Sequence, residues 1–378
     1  MDDTTLKPQS SAAKPAGEQQ IVLVLQGGGA LGAYQAGVYQ GFHEAGFEPD
    51  WVVGTSIGAI NAALIAGNPL EDRVAKLSEF WRRVGQQGAM NNCWSLASMM
   101  ASGFANVDTV VRGVPGFFAP NPLAALGLRA PVGVYQAAFY TTEPLKATLR
   151  ELVKFETSAR DIRLTVGAVN VCTGEMHYFD SRHRPIRLEH VMASGALPPG
   201  LPAVDVDGKP YWDGGLYSNT PVEVVLDDHP RRDSLILAVN VWQPRGDAPE
   251  SIWDVLGRQK DIQYASRVVS HLARQQQIHR LRHIVRELSA LLTDEQRADP
   301  KVREMIAYGC HTSMHIVTLL APLLEGEDYT KDIDFAESRI RARWDAGYAA
   351  AQKAIAQRGW HHDPDPLVGV HVHDVAES

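Results

Sequence analysis

Three cysteines in 378 residues, Cys93, Cys172 and Cys310, are odd in number and far apart. They form neither a disulfide framework nor a CxxC metal pattern, and the chain reads as a protein of a reducing compartment, with a cytoplasmic location expected. An excess of positive charge is also missing: 36 Lys and Arg stand against 44 Asp and Glu, for a net charge of −8. A dedicated nucleic-acid binder needs a basic footprint, so no nucleic acid is expected as a partner. No unbroken apolar run reaches membrane-spanning length. Residues 51–70 carry no charge, but Gly54, Thr55, Ser56, Gly58, Asn61 and Gly67 interrupt them, which suits a strand, a turn and a buried helix better than a span. Residues 1–20 have no apolar core of a secretory signal; polar and rich in Pro, Ser and Ala, they read as a disordered tail. With 45% hydrophobic and 21% charged residues, the composition is that of a soluble globular protein able to bury a sizeable core.

Residues 21–25 (IVLVL) are a continuous apolar run of the kind found in a buried parallel strand. A glycine-rich turn and a helix at 33–45 follow, then a short strand at 51–53 and a helix at 56–66. Residues 164–171 (LTVGAVNV) and 235–241 (LILAVNV) read as further core strands, and the alternation indicates an α/β fold with a mainly parallel sheet. The segment 88–142 holds only Asp108, Arg112 and Arg129 as charges, yet Gly and Pro break it repeatedly. Two readings stand: a buried irregular insert, or a cap or channel sheltering an apolar substrate.

From 251 to 292 glycine and proline become scarce, and one or two long amphipathic helices are expected. Ile252, Val255, Leu256, Ile262, Val269, Ile278, Leu281, Val285, Leu288 and Leu292 mark the apolar stripe. Seven Lys and Arg face three acids there, so the polar face is either simply solvated or meets an anionic membrane surface peripherally. A further helix is expected at 335–357, and a loose tail from Trp360, with His361, His362, His371 and His373 solvated.

Gly27-Gly28-Gly29-Ala30-Leu31-Gly32 lies between a strand and a helix. Such a loop exposes N–H groups at a helix N-terminus and suits a phosphate or a developing oxyanion. A dinucleotide site would want an acid at the end of the second strand, whereas Asp50 precedes that strand. Gly54-Thr55-Ser56-Ile57-Gly58 is again strand, turn and helix, a GxSxG elbow that presents Ser56 as a nucleophile; the alternative is a helix-capping serine. A serine nucleophile needs a base. No motif frames His177, His183 or His190, whereas Asp213 is framed by Tyr211-Trp212-Asp213-Gly214-Gly215.

GGGALG, GTSIG and DGG in this order, with Ala193-Ser194-Gly195-Ala196-Leu197-Pro198-Pro199 before the last, resemble the patatin-like phospholipase family over roughly residues 21–241. The resemblance implies a patatin-like three-layer sandwich with a mainly parallel sheet, at 21–245, with a C-terminal helical extension at 251–358 similar to that of a bacterial subgroup and a tail at 359–378. It implies a Ser–Asp dyad without histidine, Ser56 as nucleophile and Asp213 as base, with the N–H groups of Gly27, Gly28, Gly29 and Ala30 as oxyanion hole. Gly32, Gly54, Gly58, Gly214 and Gly215 complete the motifs, the third being DGG where the family more often has DGA. The implied activity is lipid acyl hydrolysis through an acyl-enzyme, with a lipid or other ester as substrate and no metal or cofactor. Acyl transfer on the same dyad and an idle lipid-binding or scaffold role remain as alternatives.

Overall fold

The computed structural model describes residues 19–85, 113–155, 162–361, 365 and 367–375, apart from the side chains of 266–271 and 361. The chain enters through β1 (Gln20–Leu25), buried from its second residue on, as its unbroken apolar run requires. A 3-10 turn (Gly29–Gly32) leads into α1 (Ala33–Glu44). β2 (Trp51–Thr55) passes through one residue into α2 (Ile57–Ala66), which is buried at every position. Then come α3 (Arg73–Gly85), the paired β3 (Ala119–Pro120) and β4 (Tyr140–Thr141), and α4 (Glu143–Leu152). β5 (Arg163–Asn170) and β6 (Met176–Asp180) precede α5 (Leu188–Ser194), β7 (Val204–Val206), β8 (Lys209–Asp213), α6 (Val222–Leu226) and β9 (Ser234–Asn240). The C-terminal part supplies α7 (Ile252–Ala290), the short α8 (Asp294–Ala298) and α9 (Pro300–Ile306), β10 (Met314–Leu320), α10 (Glu337–Gln357) and β11 (Val370–Asp374).

One sheet of nine strands runs in the order β11-β10-β9-β1-β2-β5-β8-β7, with β6 also pairing to β5. Every pair from β11 to β5 is parallel; the pairs involving β6, β7 and β8 are antiparallel. Alternate residues of each strand feed opposite faces. Ile21, Leu23, Leu25, Leu235, Leu237 and Val239 join a core with α1, α2 and α3. Val22, Val24, Ile236, Ala238 and Ile316 join a second core under α6 and Leu272 of α7. Each buried Val, Leu or Ile contributes roughly 1.5–3 kcal/mol, and this two-faced burial holds the three layers together. The mainly parallel α/β sandwich expected from the sequence is therefore present.

Four expectations are corrected. The tail is not loose throughout, because β11 pairs with β10 and Trp360 is buried edge-on against Phe47. His371 and His373, expected in solvent, stack on His315 of β10. The sheet also crosses the expected 245–251 boundary, since β10 lies directly against β9. On α7 much of the expected apolar stripe faces outward: Ile252 is 80% exposed, Leu281 and Leu288 more than half, and Ile278, Val285 and Leu292 are half-buried, while the Val269 side chain lies outside the described residues. The helix instead buries Asp261, Ala265, Gln275, His279 and His283. Each of the four polar side chains on this face has a partner: Lys331 pairs with Asp261, Asp227 accepts from Gln275, and the His279 and His283 rings reach the Leu226 and Thr312 carbonyls, while the Gln275 Oε1 and His279 Nδ1 atoms stay buried without a hydrogen bond among the described residues.

The N-terminal tail and residues 88–112 of the apolar insert lie outside the described residues. Within 113–142, Phe117 packs on Phe80 and Phe335, but Leu126 and Leu128 are exposed, which does not fit a buried insert. No described helix is long and apolar enough to cross a membrane.

α10 crosses α1 at backbone contact distance. A Cβ on Gly347 would run into the Tyr34 carbonyl, and one on Gly37 into that of Trp344. The Trp344 indole donates to Gln40 (2.6 Å) and the Tyr348 hydroxyl to Glu44 (2.7 Å) beside the crossing. Gly347→Val is therefore expected to destabilise the fold by about 1–3 kcal/mol or more. A urea midpoint equal to that of the parent would show that the two helices do not meet so closely.

Candidate active site

Ser56 is the single residue between β2 and α2, with φ 56° and ψ −126°. For a side-chain-bearing residue this left-handed backbone costs on the order of 1–3 kcal/mol, and such strain persists only where the surroundings hold it. They do so here. The Ser56 N–H donates to both the carbonyl and the hydroxyl oxygen of Ser194 (3.1 Å each), and the Ser194 hydroxyl donates onward to the Gly167 carbonyl (2.6 Å). Gly54 and Gly58 let β2 and α2 close on each other, and Gly58 lies against the carbonyls of Leu25 and Gln26.

Asp213 reaches the same place from the other direction. On β5, Gly167 pairs with Thr55 of β2 and Tyr178 of β6, while Ala168 pairs with His177 of β6 and Asp213 of β8. A strand residue has two flanks. With β6 on one, β2 and β8 must share the other, so they meet end to end where Ser56 and Asp213 leave the sheet. Gly214 packs against the Gly167 carbonyl, and a Cβ on Gly215 would crowd Asn219 and Asp213.

The Asp213 side chain is fully buried. Its Oδ1 accepts from the Gly215 N–H (2.7 Å), and its Oδ2 has no hydrogen bond of ordinary geometry among the described residues. Burial pushes its pKa up to about 7; the Ser56 hydroxyl and the Gly215 N–H favour the ionised form and oppose that rise.

The glycine loop meets the elbow, with Gly27 directly beside the Ser56 Cβ. The Gly27 N–H donates to the Asn219 carbonyl (3.1 Å) and the Ala30 N–H to the Asp332 carbonyl (2.8 Å). Those of Gly28 and Gly29 have no hydrogen bond to another described residue. Gly29 has φ 55°, and a Cβ on it would strike the Asp332 carbonyl. Gly32 sits under Ile57 and Trp81.

None of the three histidines shares this arrangement. His190 is buried as the cap of α5, accepting from the Arg187 N–H (2.9 Å), and burial together with Arg187 and Arg184 holds its pKa down at about 4. His177 lies on β6, across β5 from Asp213, and stacks edge-on with Tyr211. His183 is exposed beyond β6.

Several residues that shape the site are unmarked by any motif. The Asn219 side chain (3.0 Å) and the Trp242 indole (2.7 Å) both donate to the Gly27 carbonyl. Gln26, fully buried, accepts from the Val241 and Trp242 N–H groups, and its carbonyl accepts from Gln35 (2.6 Å). Gln35 in turn accepts from Asn61, which accepts from the Trp81 indole. The only cue to them in the sequence is polar residues interrupting apolar runs.

A strained serine thus stands beside a buried carboxyl at the edge of a mainly parallel α/β sheet, with a glycine loop next to it. The chain matches the patatin-like phospholipase profile over residues 23–226 and a second profile, described as patatin phospholipase, over 262–367, and it belongs to the patatin-like phospholipase family. Among named relatives, lysophospholipase nte1 of Aspergillus terreus is 39% identical over 83 residues, which is 21% of this chain and 5% of the relative. Lysophospholipase NTE1 of Cryptococcus neoformans is 28% identical over 258 residues, 67% of this chain and 13% of the relative. The chain thus spans a small part of the length of the relatives it matches. Solved structures that align with it include VipD from Legionella pneumophila, with a TM-score of 0.39, 13% identity, and coverage of 90% of this chain and 67% of that one. The type III effector ExoU aligns with a TM-score of 0.32 and 13% identity, over 90% of this chain and 53% of that one.

The position of Asp213 has a consequence for stability. Its folded pKa of about 7 lies above the ordinary carboxyl value, so its contribution favours the fold at low pH and is lost as pH rises through about 7. Asp213→Asn keeps the shape and removes the charge. Its stability gain is expected to be larger at pH 8 than at pH 4 by roughly 4 kcal/mol. Thermal unfolding at the two pH values measures this, and equal effects at both would contradict the raised pKa.

Proposed function

We propose that the protein is a serine lipid acyl hydrolase. Ser56 attacks the carbonyl carbon of a carboxylic ester as Asp213 takes its proton. The N–H groups of Gly28 and Gly29 receive the oxyanion; Gly27 and Ala30, expected to share this role, already donate to Asn219 and Asp332. Collapse of the tetrahedral intermediate, with Asp213 returning its proton to the leaving alkoxide, releases the alcohol and leaves an acyl group on Ser56. A water deprotonated by Asp213 then frees the acid. The observation that carries this reading is a serine held in a strained elbow beside a buried carboxyl whose pKa stands at about 7. A carboxylate with its ordinary pKa is a poor base at neutral pH, and burial makes this one a better match to the operating range. Membership of the patatin-like phospholipase family supports a lipid ester as substrate. The exposed Leu216 and Tyr217, directly after the DGG turn, give the rim apolar surface for an acyl chain.

Ser56→Ala and Asp213→Asn are each expected to abolish hydrolysis of p-nitrophenyl esters, and a fluorophosphonate probe is expected to label the parent at Ser56 alone. Full turnover in either variant would refute the dyad. Because Asp213 must be ionised to act as base, kcat/KM is expected to rise with pH through a single ionisation near 7 and then level off. A profile flat from pH 5 to 9 would assign the base elsewhere.

A further inference from the structure

The C-terminal part of the chain reaches into the glycine loop through the segment 327–334. The Asp332 carbonyl takes the Ala30 N–H (2.8 Å) and occupies the space a side chain on Gly29 would need. This segment is fastened by two ion pairs in which neighbouring residues exchange charges. Lys260 of α7 binds the Asp332 carboxylate (2.7 Å) and the Tyr329 carbonyl (3.0 Å). The next residue, Asp261, takes Lys331 on both carboxylate oxygens (2.8 and 3.0 Å) and also accepts from the Gln243 N–H (3.1 Å). The Lys331 ammonium lies 5.4 Å from the ring centroid of Trp242, whose indole donates to the Gly27 carbonyl. From the other side Arg343 of α10, itself buried, donates to the Lys331 (2.8 Å) and Asp334 (2.9 Å) carbonyls and pairs with Glu327.

Buried ion pairs contribute little net stability, because desolvation offsets their attraction; their best attested role is to fix register. Here the crossed arrangement allows one register only. Shifting the segment by one residue along α7 would set Lys331 against Lys260 or Asp332 against Asp261. The register it fixes is that of the Asp332 carbonyl on Ala30, and so the direction of the Gly28 and Gly29 N–H groups.

We propose that the pairs Lys260–Asp332 and Asp261–Lys331 form a strap by which the C-terminal extension positions the oxyanion loop, which makes the extension an integral part of the active site. Lys260 and Asp332 are positioning residues in this scheme: they touch no substrate and act through the Ala30 peptide. The proposal rests on the reading of the glycine loop as the oxyanion-binding element.

The test uses the full chain. Lys260→Met and Asp332→Asn remove the more solvated of the two pairs and leave Asp261–Lys331 in place, so both variants should fold. Each is expected to lower kcat for p-nitrophenyl butyrate at least tenfold with KM within twofold of the parent. Each should also speed amide hydrogen exchange in the peptide containing Ala30, with the rest of the β1–α1 region unchanged. Lys260→Arg, which keeps the charge, should restore both readouts. Parental kcat and parental exchange at Ala30 in both variants would overturn the strap. So would a loss that Lys260→Arg shares, since it would then track the bulk of the lysine and not its pairing. The exchange measurement needs no turnover: a parent protein inert toward esters would refute the hydrolase reading, while exchange at Ala30 still decides whether the strap holds the loop.

Discussion

The site depends on one flank of β5 being shared. β2 climbs that flank in parallel as far as Gly167, and β8 descends it antiparallel as far as Ala168. Neither strand can be longer without displacing the other, and the place where both must turn away is where Ser56 and Asp213 stand. The strain at Ser56 follows from this geometry. The chain has to leave the sheet within one residue and start α2 at once, and Ser194, bonded to both Ser56 and Gly167, holds the corner in place. The burial of Asp213 follows as well, because a residue at the junction of two strand ends is covered by both strands and by the turns that leave them.

The second dependence runs from the periphery inward. The glycine loop is gripped at Gly27 by Asn219 and Trp242 and at Ala30 by Asp332, so its two ends are held by segments from both halves of the chain. A loop fixed at this many points has little left to reorganise when charge develops beside it, and its own short 3-10 turn would not fix it so well. α10, packed on α1 through Gly37 and Gly347, and Arg343 beneath the 327–334 segment serve the same end.

The strands β1, β2, β5 and β9, the elbow and the DGG turn were legible in the sequence because each is written locally, in an apolar run or in glycines around one polar residue. What was not legible depends on partners far along the chain. The buried face of α7 carries Asp261, Gln275, His279 and His283, which a periodicity argument assigns to solvent; only Lys331, Asp227, Leu226 and Thr312 explain their burial. β10 and β11 are hidden in the sequence for a related reason. MHIVTLL and VHVHD are short, follow long helical stretches and carry histidines, and they become strands through pairing onto β9. No motif marks the Asn219 and Asp332 carbonyls that take the Gly27 and Ala30 N–H groups, because both lie far along the chain.

The placement of β11 bears on how the edge of the sheet is kept from pairing with other chains. β9 is buried along all seven of its residues and wholly apolar between Ser234 and Asn240. A chain ending before β10 would leave its hydrogen-bonding edge bare, a template for pairing with other chains. β10 covers that edge but is nearly as apolar. β11 then closes this side of the sheet with only five residues, alternating Val370 and Val372 with His371, His373 and a terminal Asp374. The histidines that looked like part of a dangling tail thus act as a selvedge, a polar border woven onto the fabric so that it neither frays nor sticks to the next piece.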